Sequence, residues 1–295
     1  MKRVPVWALA LIWLLPSFGL FVNSFRPRDS QRNSGWWTLE PNDLGVRFTT
    51  DNYRQVFEAG TTNSIGDSLL NSAAIAIPAT IIPIAIAAFA AYGFAWIDFR
   101  GRKALFIAVV SIMAIPLQVA LIPLLTMYVG GAHISLPFLD KTLTLVPAWG
   151  LNGDPIAVWL THTGFGLPFA IFLLHNYISS LPKDLFESAR IDGADHFAVF
   201  WRLVLPLSVP ALGAFAIFQF LWTWNDYLIA AVMLGASGGE HHTSTMFIAN
   251  LAGDFSNTEG LLTAGAFVQA FIPVCVFFGL QRFFVRGLLT GSING

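Results

Sequence analysis

A chain of 295 residues that is 55% hydrophobic and only 11% charged, with mean hydropathy +0.65, carries less than half the charge of an ordinary soluble domain, so a bilayer is the expected solvent for most of it. The formal net charge of −1 gives no footing for nucleic acid as a partner. A lone cysteine, Cys275 within an apolar run, excludes an intrachain disulfide and a thiol-metal cluster and reads as a small packing residue.

Six segments reach the roughly 20 apolar residues that a spanning helix needs: about 4–25, 68–96, 104–128, 155–178, 206–235 and 261–285. The fold expected is therefore all-α, a polytopic membrane protein with six transmembrane helices. Lys2 and Arg3 before the first segment resemble a secretory leader. Its apolar run is too long for one, however, and VNSF closes it without a small-x-small cleavage site, so an uncleaved span is expected. Residues 26–67 are polar and broken by Pro and Gly, an extracytoplasmic loop able to meet another protein. Within it, Thr50 or Asp51 is placed to cap a short helix through Phe57. Pro78 and Pro83 interrupt the second span, Pro116 and Pro123 the third, and Pro168 the fourth. Such kinks suit a translocation subunit and equally a channel. The loop 129–154, with Gly130, Gly131, Pro137 and Pro147, shows no clear period.

Between the fourth and fifth spans lies ESARIDGADHFAVFWRLVLPLSVP, Glu187 to Pro210. Seven charged residues fall between Lys183 and Arg202. At about 2.5–3.5 kcal/mol per charge at a bilayer centre, they would cost on the order of 20 kcal/mol in lipid, so the stretch lies outside the membrane. Pro182 suits a first helical turn, with Asp184 and Glu187 at the positive helix end, and Asp192-Gly193 marks a turn. Phe197, Phe200, Trp201 and Val204 then recur at i, i+3, i+4 and i+7. The pattern is a short helix, a sharp turn and a second helix leading into the fifth span. Periodicity leaves two readings open, an amphipathic linker resting at the interface or a rigid peg that docks on a separate protein.

The fifth span holds Asp226, the one carboxylate placed within a span, next to Trp224 and Asn225. A charge there is a functional candidate by default. Either the carboxylate is hydrogen-bonded to neighbouring helix for structural reasons, or Trp224, Asn225 and Asp226 line a route for a polyhydroxylated solute. Aromatic faces would stack on its rings, and the amide would pair with hydroxyls. In the last loop, His241 and His242 are adjacent, share no helix or strand face, and read as a solvated pair rather than metal ligands. His133, His162, His175 and His196 are scattered without ligand spacing. No phosphate loop, nucleophile elbow or H-E-x-x-H is present, so neither an enzymatic nor a metal site is expected.

Lysines and arginines orient the chain. With the N-terminus inside, ten fall in cytoplasmic pieces (Lys2, Arg3, Arg100, Arg102, Lys103, Lys183, Arg190, Arg202, Arg282 and Arg286) and six outside (Arg26, Arg28, Arg32, Arg47, Arg54 and Lys141). Both termini are thus expected in the cytoplasm, and the charged stretch with them.

Glu187-Ser188-Ala189, Asp192-Gly193-Ala194, Phe200, Leu205-Pro206 and Pro210 resemble, in order and spacing, the cytoplasmic signature loop of binding-protein-dependent ABC importer permeases. Ser188 replaces the usual alanine. Trp224-Asn225-Asp226-Tyr227 and the ending from Phe284 to Gly291 are similar to the carbohydrate-uptake branch, of which the smaller maltose transporter permease is one. Ile293-Asn294-Gly295 stands where that tail often has a lysine. The resemblance implies a type I, MetI-like permease fold in the cell inner membrane. It divides the chain into a first helix with its external loop (1–67), a core permease domain (68–285) containing a coupling helix at 182–205, and a cytoplasmic tail (286–295). It implies that Glu187, Ala189, Asp192, Gly193, Ala194 and Phe200 dock on an ATPase. The partners implied are a second homologous permease, two ATP-binding subunits that hold ATP and Mg, an extracytoplasmic solute-binding protein and membrane lipid, with no cofactor in this subunit. The competing reading is a self-contained secondary carrier, which would be expected to show several intramembrane carboxylates or inverted repeats.

Overall fold

The computed structural model describes residues 4–38, 41, 45–58, 64–136, 141–235, 239–252 and 259–292, with the backbone alone at 136, 141 and 284–292. It is mostly helical, and the chain divides into two compact units, 1–72 with 240–272 and 73–239 with 273–295.

The first unit contains α1 (Val4–Ser24), α2 (Arg28–Asn33) and α3 (Asp51–Glu58). It also holds the start of α4 (Ile65–Trp96). The apolar side chains of α1 are exposed along most of their length, as lipid solvent requires. Its last carbonyls, which no helical N–H reaches, are taken by side chains from farther along. Gln31 Nε2 donates to Asn23 O at 2.7 Å, and Asn52 Nδ2 donates to Ser24 O at 2.9 Å. The fully buried Arg26 donates to Asn23 Oδ1, Ser30 O, Ser34 O and Ser34 Oγ, which folds the following turns onto the helix end. Thr50 stands at the start of α3, its carbonyl accepting from Arg54 N at 3.0 Å, while the side-chain bond to the helix start comes from its neighbour: Thr49 Oγ1 accepts from Asp51 N at 3.1 Å.

The second unit continues along α4 and adds α5 (Arg102–Ser111), a 3₁₀ turn (Ile112–Ala114) and α6 (Leu117–Gly130). Residues 132–136 and 141–146, which show no period in the sequence, pair as antiparallel strands, β1 (Ala132–Leu136) with β2 (Lys141–Val146). Then come α7 (Pro155–Ser179), α8 (Lys183–Ile191), α9 (His196–Val199), a widened turn (Phe200–Val204), α10 (Leu205–Leu207), α11 (Val209–Trp224) and α12 (Leu228–Leu234). After the short Gly239–His241 turn, α13 (Ser244–Ala252) belongs to the first unit, and α14 (Glu259–Ser292) begins in the first and ends in the second.

Among the described residues, four helices are long and apolar enough to cross a membrane: α1, α4, α7, and α14 over Glu259–Phe283. The count becomes six when two bent pairs are each taken as one span. The third segment is Arg102–Ala114 and Leu117–Gly130 with a 103° bend, which falls at Pro116. The other is His196–Leu207 and Val209–Trp224, bent by 68° at Ser208 between the two prolines Pro206 and Pro210. The remaining prolines do not interrupt their spans: helix continues through Pro78, Pro83, Pro123 and Pro168. The fifth span, expected whole over 206–235, instead stops at Trp224 and restarts at Leu228. Cys275 is exposed on α14 rather than packed. Helix also extends through 286–292, part of the expected tail, while 293–295 lie outside the described residues.

Candidate functional site

Two places in the second unit gather the residues singled out above. The first is the charged stretch. Pro182 precedes α8, which spans nine residues and ends on a left-handed glycine, Gly193, at φ +79°. The N–H of Ala194 reaches back to Ala189 O at 2.9 Å, and that of Gly193 to Arg190 O at 3.0 Å. This Schellman closure satisfies two orphan carbonyls and needs a residue free to adopt positive φ. The next helix starts at once, because Asp195 Oδ1 accepts from Ala198 N at 2.7 Å. Two capped ends, three residues apart, make the turn rigid.

The hairpin rests on an aromatic base. Phe186 is buried and stacked on Trp96 at 3.6 Å between centroids, and Phe200 on Phe89 at 4.4 Å. Tyr92 Oη and His196 Nδ1 are 2.8 Å apart and tie the second arm to α4. Around this base Ala87, Ala91, Leu174, Ile178, Val199 and Val204 close a single core. Leu205 N bonds Phe200 O, a wider turn than the α-helix makes, and both Phe200 and Val204 face inward. Phe197 and Trp201, expected on the same apolar face, are 70% and 45% exposed.

Of the six residues implied to dock, Glu187, Asp192 and Gly193 are exposed, and Ala189 and Ala194 are half-buried against the core. Phe200 is turned inward at 3% exposure; it holds the hairpin up and offers a partner no surface. Ile191, which the sequence pattern did not single out, stands 85% exposed between Glu187 and Gly193.

The second place is the break between α11 and α12. Asp226 Oδ2 accepts from Ile229 N at 2.9 Å and Ala230 N at 3.1 Å, so the carboxylate caps the helix that restarts after it. The same oxygen lies 3.7 Å from Nε2 of His162, a fully buried residue of α7. Trp224 is 1% exposed and stacked on Phe220 at 5.5 Å, so its ring is core, whereas Asn225 is exposed. The three residues expected to line one route are therefore separated: one buried, one capping, one at the surface.

Neither His162, one of the scattered histidines, nor Gln219 stands out in the sequence as a site residue. Pro83 has no N–H, which leaves Ala79 O one turn earlier without its helical donor. Gln219 Nε2 supplies one at 3.1 Å, with His162 O at 3.4 Å as a second acceptor. Those two carbonyls fix which way the amide faces. A proline in one span and a glutamine in another are the readable signal, and only the tertiary structure pairs them.

Residues 83–289 match the family model described as binding-protein-dependent transport system inner membrane component. The chain is 47% identical over 293 residues to the osmoprotective compounds uptake permease protein GgtD of Synechocystis, covering 99% of this chain and 91% of that protein. It is 50% identical over 250 residues to the alpha-glucoside transport system permease protein AglG of Rhizobium meliloti, covering 84% of this chain and 61% of that one. Its backbone is similar to a chain of the bacterial alginate ABC transporter solved in complex with an alginate pentasaccharide-bound periplasmic protein. The TM-score is 0.69 at 14% identity, with 97% and 95% of the two chains covered, a likeness of fold.

Proposed function

The chain belongs to the family of binding-protein-dependent transport system inner membrane components, and from that premise we propose that it serves an ATP-driven importer of a sugar or sugar-like osmolyte. It is a non-enzymatic permease subunit of the membrane. The observation that carries the coupling role is the doubly capped turn at 192–195, exposed on its outer side and seated on buried Phe186 and Phe200. A peg must transmit force without bending. Here each helix end is closed by its own hydrogen bonds, and the base is stacked aromatic rings. Glu187, Ile191, Asp192 and Gly193 form the contact surface for an ATP-binding subunit. That partner holds ATP and Mg and, on closing, moves the spans to which the base is packed.

The charged turn faces the cytoplasm, with both termini on the same side, as the ten-to-six split of Lys and Arg supports. A second, homologous permease completes the pathway, and an extracytoplasmic solute-binding protein delivers the substrate. Sugar chemistry is supported by the relatives' named cargo, α-glucosides and osmoprotective compounds. The test is reconstitution of the chain with its partner permease, ATPase and binding protein in liposomes. Uptake of a labelled α-glucoside should require both ATP and the binding protein. Uptake by this chain alone, driven by an ion gradient, would establish a secondary carrier instead.

A further inference from the structure

Residues 97–101 join the second span to the third, since α4 ends at Trp96 and α5 starts at Arg102. An open hollow of about 700 Å³ lies there, lined by residues 98–104. Three cations, Arg100, Arg102 and Lys103, line it against one carboxylate, Asp98. Its floor is fixed by aromatic packing: the Phe94 ring meets Phe99 at 6.1 Å and Phe106 at 5.5 Å between centroids.

Basic residues in a short loop between spans also act as a topological signal, and that role needs no particular geometry. Here the charges are arranged. Arg102 is tied down: its Nη1 lies 2.9 Å from Asp98 Oδ1 and donates to Ile97 O at 3.2 Å. Arg100 and Lys103 are exposed, and neither belongs to an ion pair among the described residues. Between them Gly101 stands at φ +84°, where a Cβ would meet nothing within 4 Å, so the backbone is open to approach. No side chain caps α5, and the positive end of that ten-residue helix adds to the same field.

Together these groups attract an anion, and the rim decides which kind. Phe99, Leu105 and Ile107 are 43%, 51% and 64% exposed. A free phosphate would leave those apolar groups unused. A phospholipid sets its phosphate beside the cations and its acyl chains along the apolar side chains, as basic pockets at the ends of spans do for anionic headgroups. We infer that the hollow at 98–104 is a site for the headgroup of an anionic phospholipid, its phosphate between Arg100 and Lys103 and its chains on Leu105 and Ile107. Asp98 weakens the site by its charge and positions Arg102. The site lies at the foot of the charged hairpin, because Trp96 at the end of α4 is stacked on Phe186 of α8. The inference is independent of the cargo.

The test uses the assembled importer in phosphatidylcholine liposomes with a trace of phosphatidylglycerol carrying a photoreactive headgroup. Illumination should label this chain within 98–105, mapped by mass spectrometry, and unlabelled phosphatidylglycerol should displace the label. Arg100→Gln and Lys103→Gln should each raise the phosphatidylglycerol content needed for half-displacement, by roughly fivefold for each charge removed. Asp98→Asn should lower it by a similar factor, a gain that misfolding cannot imitate, and Arg100→Lys should match wild type. These three side chains are exposed, so none of the substitutions opens a void, and co-purified subunit ratios check assembly. Label falling elsewhere on the chain, or half-displacement unchanged in all the charge variants, would overturn the site and leave a topological signal only. Displacement by soluble glycerol phosphate as effective as by the lipid would make it a free-phosphate site and overturn the lipid assignment.

Discussion

Nε2 of His162 stands 3.7 Å from Oδ2 of Asp226, and that carboxylate oxygen also receives the amides of Ile229 and Ala230. One acidic group therefore closes the helix that restarts after the break and abuts the imidazole behind Trp222. The capping bonds are short and the histidine contact is long, so capping is the larger contribution.

Asp226→Asn keeps a side-chain oxygen at the cap and should leave stability close to wild type. Asp226→Ala removes it, exposing two amides at a buried helix start, and should cost about 1 kcal/mol, within the 0.5–2 typical of a lost cap. Thermal unfolding of the detergent-solubilised complex measures this. Equal loss in both variants would show that the charge, rather than the acceptor, is what the site requires.

Phe200 offers a sharper contrast, since its motif position suggests contact with a partner and its placement is internal. Phe200→Ala would open a void between Phe89 and Tyr92. The expected destabilisation is about 3–5 kcal/mol, the range for a buried phenylalanine. Phe200→Leu should recover most of it. If instead Phe200→Ala unfolds like wild type and only weakens ATPase co-purification, the ring is reaching a partner.

Much of this architecture is legible in the linear chain because the physics is local. Twenty apolar residues in a row can only be buried or in lipid, and Pro182 and Asp192-Gly193 mark the start of a short helix and its closing turn within a few positions. What was hidden depended on distant pairs. Nothing in the sequence says that the carbonyl freed by Pro83 is met by Gln219, or that Asp226 finds His162 across 64 positions. The strand pair at 132–136 and 141–146 was unreadable because Gly130, Gly131 and Pro137 in the sequence mask a short alternation. Trp224 misled for a simpler reason: an aromatic residue beside Asn and Asp looks alike whether it faces a pathway or a core.

His242 also departs from its expected solvated state. It is 3% exposed, its Nε2 lies 2.9 Å from Asn250 Nδ2, and Asn71 Nδ2 donates to its carbonyl. Burial lowers its pKa from the ordinary 6.5, so the fold holds the ring neutral. The unfolded chain takes up a proton as pH falls through 6.5, whereas the folded one resists. The stabilisation is thus present above 6.5 and lost as pH drops through the lower, folded value. Hydrogen exchange at the amides of α13 should quicken at pH 5.5 relative to pH 8 after correction for intrinsic rates. His242→Gln, which can still pair with Asn250, should flatten that dependence. An unchanged pH slope in the variant would assign it to another group.

Gly193 combines a conformational demand with open space. Its φ of +79° is one that L side chains resist, at roughly 1–2 kcal/mol, yet a Cβ there would meet no atom of this chain within 4 Å. A substituent is therefore strained by the backbone and unopposed by neighbours, and it projects from the exposed side of the turn between Asp192 and Ala194. Gly193→Asn, tolerant of the left-handed region, should fold and couple nearly as wild type. Gly193→Ala should lose stability by about the backbone strain alone, with coupling kept. Gly193→Trp adds little further strain but places an indole where a partner must approach. The permease pair should still assemble in the membrane, while ATP-dependent uptake falls to background. Comparing unfolding temperature with transport across the three variants separates strain from obstruction. Wild-type uptake by an assembled Gly193→Trp importer would mean that this turn is not where the ATPase docks.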